Sequence, residues 1–269
     1  MRLATFIPPG TSSPRSGEIR DGKAIAFADE ALTVRDWLAA RQGGPATGPA
    51  FELAAVKLLA PIPTPRAIFA IGLNYDDHIA EASSVAGRGE RARPESPIVF
   101  LKLPSSAAPP NDPVRCPAVV KRLDYEGELT IAIGRDGQIG GYTIADDVSA
   151  RDLQKREPQW TRAKGADGFC PYGPWITTVD ELPDASDLRL RTWVNGELRQ
   201  ESSTKHLIFD VPEIVRFISE TCTLMPGDLI LTGTPAGVGM GMDPPRFLSS
   251  GDVVKIEIER LGSIEHAIA

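Results

Sequence analysis

A break rich in proline, Pro61-Ile62-Pro63-Thr64-Pro65, divides the chain into two stretches, and the longer one is built almost entirely from short apolar runs closed by turn signals. Ala67–Ile71 is the first such run after the break. Glu128–Gly134 and Gly141–Ala145 then flank Arg135-Asp136-Gly137, and Arg189–Val194 enters Asn195-Gly196. Asn-Gly accepts positive φ at both central positions of a tight turn, so it predicts a hairpin. Asp228–Leu231, Val253–Ile258 and Ser263–Ala267 predict further strands. Only Ser149–Glu157 and Val211–Thr221 read as helices, the second opened by Asp210 with Pro212 in its first turn. This pattern predicts a mainly β, α+β architecture over residues 66–269.

Residues 1–60 read as a small separate α/β unit. Strands are expected around Arg2–Ile7 and Lys23–Ala28, and Thr33 is placed to cap a helix through Val34–Arg41. Gly43-Gly44-Pro45 and Gly48-Pro49 then interrupt the chain.

Charge and cysteine usage narrow the class of function. The 269 residues carry 29 lysines and arginines against 36 acids, a net charge of −7, which excludes a phosphate backbone or an anionic lipid surface as the main partner. The three cysteines, Cys116, Cys170 and Cys222, lack the spacing of a zinc or redox motif and read as reduced cytoplasmic thiols. Pro8 and Pro9 cut short any apolar leader, and no run approaches the ~18 apolar residues of a membrane span.

Four segments carry the chemistry. In Asp124-Tyr125-Glu126-Gly127-Glu128, two carboxylates at i and i+2 of a strand share one face, where they repel unless a cation lies between them. A hard divalent ion resolves this, with a third oxygen ligand available from Asp146-Asp147. In Asn74–Glu81, a helix beginning near Asp76 would set His78 and Glu81 at i and i+3, a base oriented by a carboxylate. Lys164, among small residues before Cys170-Pro171-Tyr172-Gly173-Pro174-Trp175, suits a carboxylate or a developing enolate. The amides and hydroxyls of Thr232–Gly239 suit an anionic group. That loop lacks the residues of a phosphate loop or a dinucleotide fingerprint. Ser149 is the alternative nucleophile, without a nucleophile elbow around it.

Together the segments resemble the fumarylacetoacetate hydrolase family over residues 50–269. The blocks that carry the resemblance are Ile71-Gly72-Leu73-Asn74-Tyr75 with His78 and Glu81, Phe100-Leu101-Lys102, Asp124–Leu129, Asp147–Gln154, Lys164, Phe169–Trp175, Asn195-Gly196-Glu197 and Leu231–Gly239. The resemblance implies a mixed β-sandwich or β-roll with a small N-terminal domain, and a homodimer. It implies one magnesium or manganese ion per subunit on Glu126, Glu128 and Asp147, with His78 and Glu81 activating a water. Lys102, Gln154, Lys164 and Thr234 match positions that line the substrate site in relatives. The expected reaction is hydrolysis of a carbon–carbon bond in a 2,4-dioxo acid such as an acylpyruvate, through a pyruvate enolate. Decarboxylation or isomerisation of a 2-oxo acid such as oxaloacetate is the alternative. The segment from Ser83 to Arg93 is basic and small-residue rich, and its Arg88, Arg91 and Arg93 are candidate contacts for a distal carboxylate.

Overall fold

Ten strands of the computed structural model follow one another across a single large sheet. In spatial order they are Ala50–Glu52, Lys23–Ala26, Arg15–Arg20, Arg2–Ile7, Cys170–Thr178, Ile139–Asp146, Gly127–Ile133, Leu229–Leu231, Ile68–Gly72 and Ile98–Lys102. The structure describes residues 1–40, 44–84 and 92–269. A second sheet orders Glu197–Ser203, Arg189–Val194, Val253–Ile258 and Gly262–Ala267. The molecule is therefore mainly β.

Local signals explain many of these elements. Asn195 and Gly196 take φ of 52° and 79°, as the two-residue hairpin requires. Thr33 and Asp36 form a reciprocal capping box at the start of helix Val34–Ala39. Asp210 accepts from the Glu213 amide to open helix Val211–Ser219, whose Val211, Ile214 and Ile218 are buried. Other elements depart from the local reading. Ser149–Ala150 pairs with Leu123–Asp124 as a short strand, so the helix expected from Ser149 begins at Arg151 and ends at Arg156. Cys170–Thr178, interrupted by Pro171, Gly173 and Pro174, forms a nine-residue strand between two partners, with a shift in register opposite Tyr142 and Ile144.

Residues 1–60 pair mostly among themselves. They meet the rest of the sheet where Arg2 lies opposite Thr177 and Leu3 opposite Ile176. A cluster of buried side chains runs beneath this seam, joining Leu3, Phe27, Val34 and Leu38 to Ile68, Tyr172 and Leu229. A larger core lies beneath both sheets and includes Leu129, Ile131, Ile144, Leu190, Val254 and Ile264. With both faces covered, every residue of Gly127–Ile133 is buried, which makes this strand a rigid base for side chains at its end.

Candidate metal centre and active site

The strand register assembles three acids. Gly127 lies opposite Asp146, and the Asp147 amide donates to the Glu126 carbonyl at 2.9 Å, so Asp147 is held beside Glu126. A Cβ at Gly127 would stand 2.5 Å from Thr192 Oγ1 of the second sheet, so only glycine lets the strand approach that closely. Glu126, Glu128 and Asp147 are buried, with one oxygen from each lying within 4.8 Å of the others. Three hard oxygen donors at this spacing could hold a divalent ion.

Buried cations already balance most of this charge. Lys164 Nζ lies 2.5 Å from Glu126 Oε2 and 2.8 Å from Asp147 Oδ2, and Lys102 Nζ lies 2.6 Å from Asp147 Oδ1. Arg151 reaches Asp124 at 2.8 Å through Nε and Glu126 at 2.6 Å through Nη2. Burial opposes ionisation of Glu126, but Arg151 and Lys164 outweigh it and hold the carboxyl at about 2. Burial also disfavours the Lys164 ammonium, yet Asp147 and Glu126 raise its pKa above the ordinary lysine value. Glu128 differs, because no lysine or arginine pairs with it among the described residues and its hydrogen bond comes from the Gly233 amide at 2.6 Å. Burial, with Asp147 and Glu126 beside it, pushes Glu128 well above the usual carboxylate range. The donor set thus fits a divalent ion and leaves one acid short of positive charge.

Helix Asp76–Ser84 carries the candidate base. His78 and Glu81 share a face as their spacing predicts, with Nδ1 and Oε2 3.2 Å apart. Glu81 also accepts from the Gly237 amide at 2.9 Å, and a Cβ at Gly241 would lie 2.1 Å from its carboxyl carbon. The loop after Leu229–Leu231 uses its amides on the protein's own carboxylates. Gly233 binds Glu128, Gly237 binds Glu81, and Gly239 and Met240 bind the two oxygens of Asp124. The expectation that the amides of Thr232–Gly239 serve a bound anion therefore fails at Gly233, Gly237 and Gly239, because an amide that is already donating has no proton left for one.

A cavity of about 280 Å³ joins these parts, lined by His78, Glu126, Glu128, Gln154, Lys164 and Thr234 among others. Lys102 and Asp147 are buried behind it and touch Lys164. Asp146 is not part of the acid cluster, since it accepts from the Glu126 amide at 2.8 Å and faces His266. Ser149 is fully buried and donates to the Asp147 carbonyl at 2.8 Å, which leaves it unsuited to nucleophilic attack. Arg93 is exposed, lies 3.8 Å from Asp76 and is not part of the cavity wall. Arg88 and Arg91 lie outside the described residues.

Three contributors escaped the sequence reading. Arg151 pairs with two acids; its position four residues after Asp147, opening a helix, was the available clue. Trp160 packs against Phe100 with ring centroids 5.2 Å apart and closes one wall of the cavity. Gln200 donates to Thr234 Oγ1 at 2.8 Å and accepts from the Gly127 amide at 3.1 Å, tying the glycine loop to the acid strand. Gln200 comes from the other sheet, so no local pattern announces it.

Comparison with known proteins agrees with this arrangement. Residues 67–269 match the model of the fumarylacetoacetate (FAA) hydrolase C-terminal domain. The chain is 38% identical over 295 residues to the mitochondrial oxaloacetate tautomerase fahd2 of Xenopus laevis, covering 100% of this chain and 90% of that one. Among solved structures, 2-hydroxyhepta-2,4-diene-1,7-dioate isomerase from Mycobacterium marinum superimposes with a TM-score of 0.80 at 40% identity, covering 100% of this chain and 98% of that one. Fumarylacetoacetate hydrolase from Exiguobacterium antarcticum gives 0.85 at 38% identity, covering 100% and 99%. With the fold, the acid cluster and the matched length all in agreement, the chain belongs to the fumarylacetoacetate hydrolase family.

Proposed function

We propose that this protein is a divalent-metal-dependent enzyme that interconverts the keto and enol forms of a small 2-oxo acid of the oxaloacetate type. The observation that carries this reading is one cavity of about 280 Å³ in which His78 stands with Glu126, Glu128 and Lys164. That volume lies at the small end of ligand pockets and suits a substrate of a few carbons. Magnesium or manganese, held by Glu126, Glu128 and Asp147, would supply Lewis acidity to the oxygens of a 2-oxo carboxylate. His78, oriented by Glu81, takes the proton from the carbon beside the ketone. A proton then returns to the oxygen, so the enol forms with no net change in atoms. Lys164, kept as an ammonium, stabilises the negative charge that develops on that oxygen. Lys102 holds Asp147, while Gln154 and Thr234 contact the substrate. Arg88 and Arg91 are proposed for a distal carboxylate.

Hydrolysis of an acylpyruvate, the activity expected from the sequence, becomes the second reading. The same histidine could activate water for it, and one similar structure is called a hydrolase. The relatives called tautomerase and isomerase support enolisation instead. The two readings separate in one assay series. Oxaloacetate tautomerisation, oxaloacetate decarboxylation and acylpyruvate cleavage are followed with a single preparation in magnesium and in manganese. Tautomerisation should be the fastest by at least tenfold. Faster cleavage of an acylpyruvate would overturn the proposal.

We further propose that residues 1–60 form a small unit and residues 66–269 the catalytic one. No helix among the described residues is long and apolar enough to cross a membrane. The three cysteines are free, in keeping with a reducing cytoplasm. A homodimer is supported by the outermost strand of the large sheet, which leaves Ile98, Val99 and Leu101 exposed beside Leu103. Sedimentation of the purified protein tests this directly.

A further inference from the structure

His266, on the last strand of the second sheet, is buried beneath the acid cluster. Its Nε2 lies 2.9 Å from Asp146 Oδ2, and neither side chain is exposed to solvent. A carboxylate only accepts, so the imidazole donates. The other oxygen of Asp146 accepts from the Glu126 amide at 2.8 Å. The Glu126 carbonyl is in turn held by the Asp147 amide at 2.9 Å. The main chain at Glu126 is thus fixed on both sides, and one of those restraints runs through Asp146 back to a histidine 140 residues away in sequence (Glu126 to His266). No lysine or arginine pairs with Asp146 among the described residues. His266 supplies the donor to its second oxygen, while the imidazole Nδ1 has no partner.

We propose that His266 is a positioning residue for the acid cluster, acting through Asp146 to hold Glu126 at the spacing from Glu128 and Asp147 that binding a divalent ion requires. A buried carboxylate that loses a donor seeks another, and here the amide of a ligand residue would move with it. The inference rests on the reading that Glu126, Glu128 and Asp147 hold such an ion. It concerns a residue that touches neither ion nor substrate. The spacing of metal ligands is sensitive to groups of this kind, whose loss typically weakens metal binding about 10- to 100-fold.

The test measures manganese binding by calorimetry to the full-length protein, together with the melting temperature and the electron paramagnetic resonance line shape of the bound ion. His266→Leu removes the donor. His266→Gln keeps one, since its amide nitrogen reaches the position of the imidazole Nε2 and can still donate to Asp146. The leucine variant should bind manganese about 10- to 100-fold more weakly, with a broadened spectrum, and the glutamine variant should stay within about threefold of wild type. Equal affinity in a folded leucine variant would overturn the proposal. So would a tenfold loss in a folded glutamine variant, or a leucine variant that fails to fold, which would make the role one of general structure. If the wild-type protein itself bound no manganese, the metal reading would fail first, and that result is distinct from either variant's.

Discussion

Lys164 donates to Glu126 at 2.5 Å and to Asp147 at 2.8 Å, so a single buried ammonium joins two acids that come from different strand ends. Its raised pKa keeps it charged at neutral pH, which suits it to stabilise an anion and not to remove a proton. Lys164→Met should lower kcat about 10²- to 10³-fold, the usual loss when a donor to a developing oxyanion is removed. Lys164→Arg should not restore it, because a planar guanidinium cannot replace a compact ammonium between two oxygens. Steady-state kinetics on oxaloacetate check both.

Glu128 is the acid that lacks a cationic partner, and its folded-state pKa is raised. Stability tied to a raised carboxyl is fully present below its unfolded value near 4.5 and is lost as pH rises through the folded value. At neutral pH without metal, Glu128 therefore destabilises the fold. Glu128→Gln should raise the melting temperature of the metal-free protein at pH 7 and have little effect near pH 4. The same change should abolish the stabilisation that added magnesium gives the wild type. Thermal unfolding at both pH values, with chelator and with magnesium, checks the sign.

Glu126 behaves in the opposite way. Its pKa of about 2 means that its ion pairs stabilise the fold above the unfolded value and are lost as pH falls from about 4.5 toward 2. Arg151 holds it together with Asp124. Arg151→Met leaves both carboxylates without that partner, and breaking a buried pair in this way costs about 3–5 kcal/mol. For a chain of this size that is a fall in Tm of roughly 10 °C, readable by calorimetry.

His78 faces the cavity without holding the acid cluster. His78→Ala should reduce tautomerisation about 10²- to 10⁴-fold while manganese affinity stays unchanged. Glu81→Gln should cost less, because the amide oxygen can still accept from the imidazole. A parallel fall in manganese binding would show that His78 supports the metal and not the proton transfer.

The three arginines of the basic segment separate by position. Arg93 pairs with Asp76 away from the cavity wall, so Arg93→Ala should leave KM unchanged. If Arg88 or Arg91 meets a distal carboxylate, its alanine variant should raise KM about tenfold for a dicarboxylate and leave KM for a 2-oxo monocarboxylate unchanged. Kinetics on paired substrates decide between the three.

Chemistry that depends on near neighbours was legible in the sequence alone. The Asn195-Gly196 turn, the Thr33 cap, the Asp210 cap and the i, i+3 spacing of His78 and Glu81 all rest on contacts within a few residues, and all four are present. So was the acid pair, because Glu126 and Glu128 stand at i and i+2, where two strand carboxylates share one face. Register and packing decided the rest. Asp146 and Asp147 are equivalent as residue types, and it is the pairing of Gly127 with Asp146 that puts Asp147 in the cluster and turns Asp146 toward His266. The amides of the glycine loop looked free for an anion until the fold brought Glu81, Asp124 and Glu128 against them. Arg151, Gln200 and His266 reach the centre from separate elements, two of them in the other sheet. A pattern of neighbouring residues cannot encode such contacts, because a buried charge is balanced by whichever side chains the strand order places beside it, however distant they are along the chain.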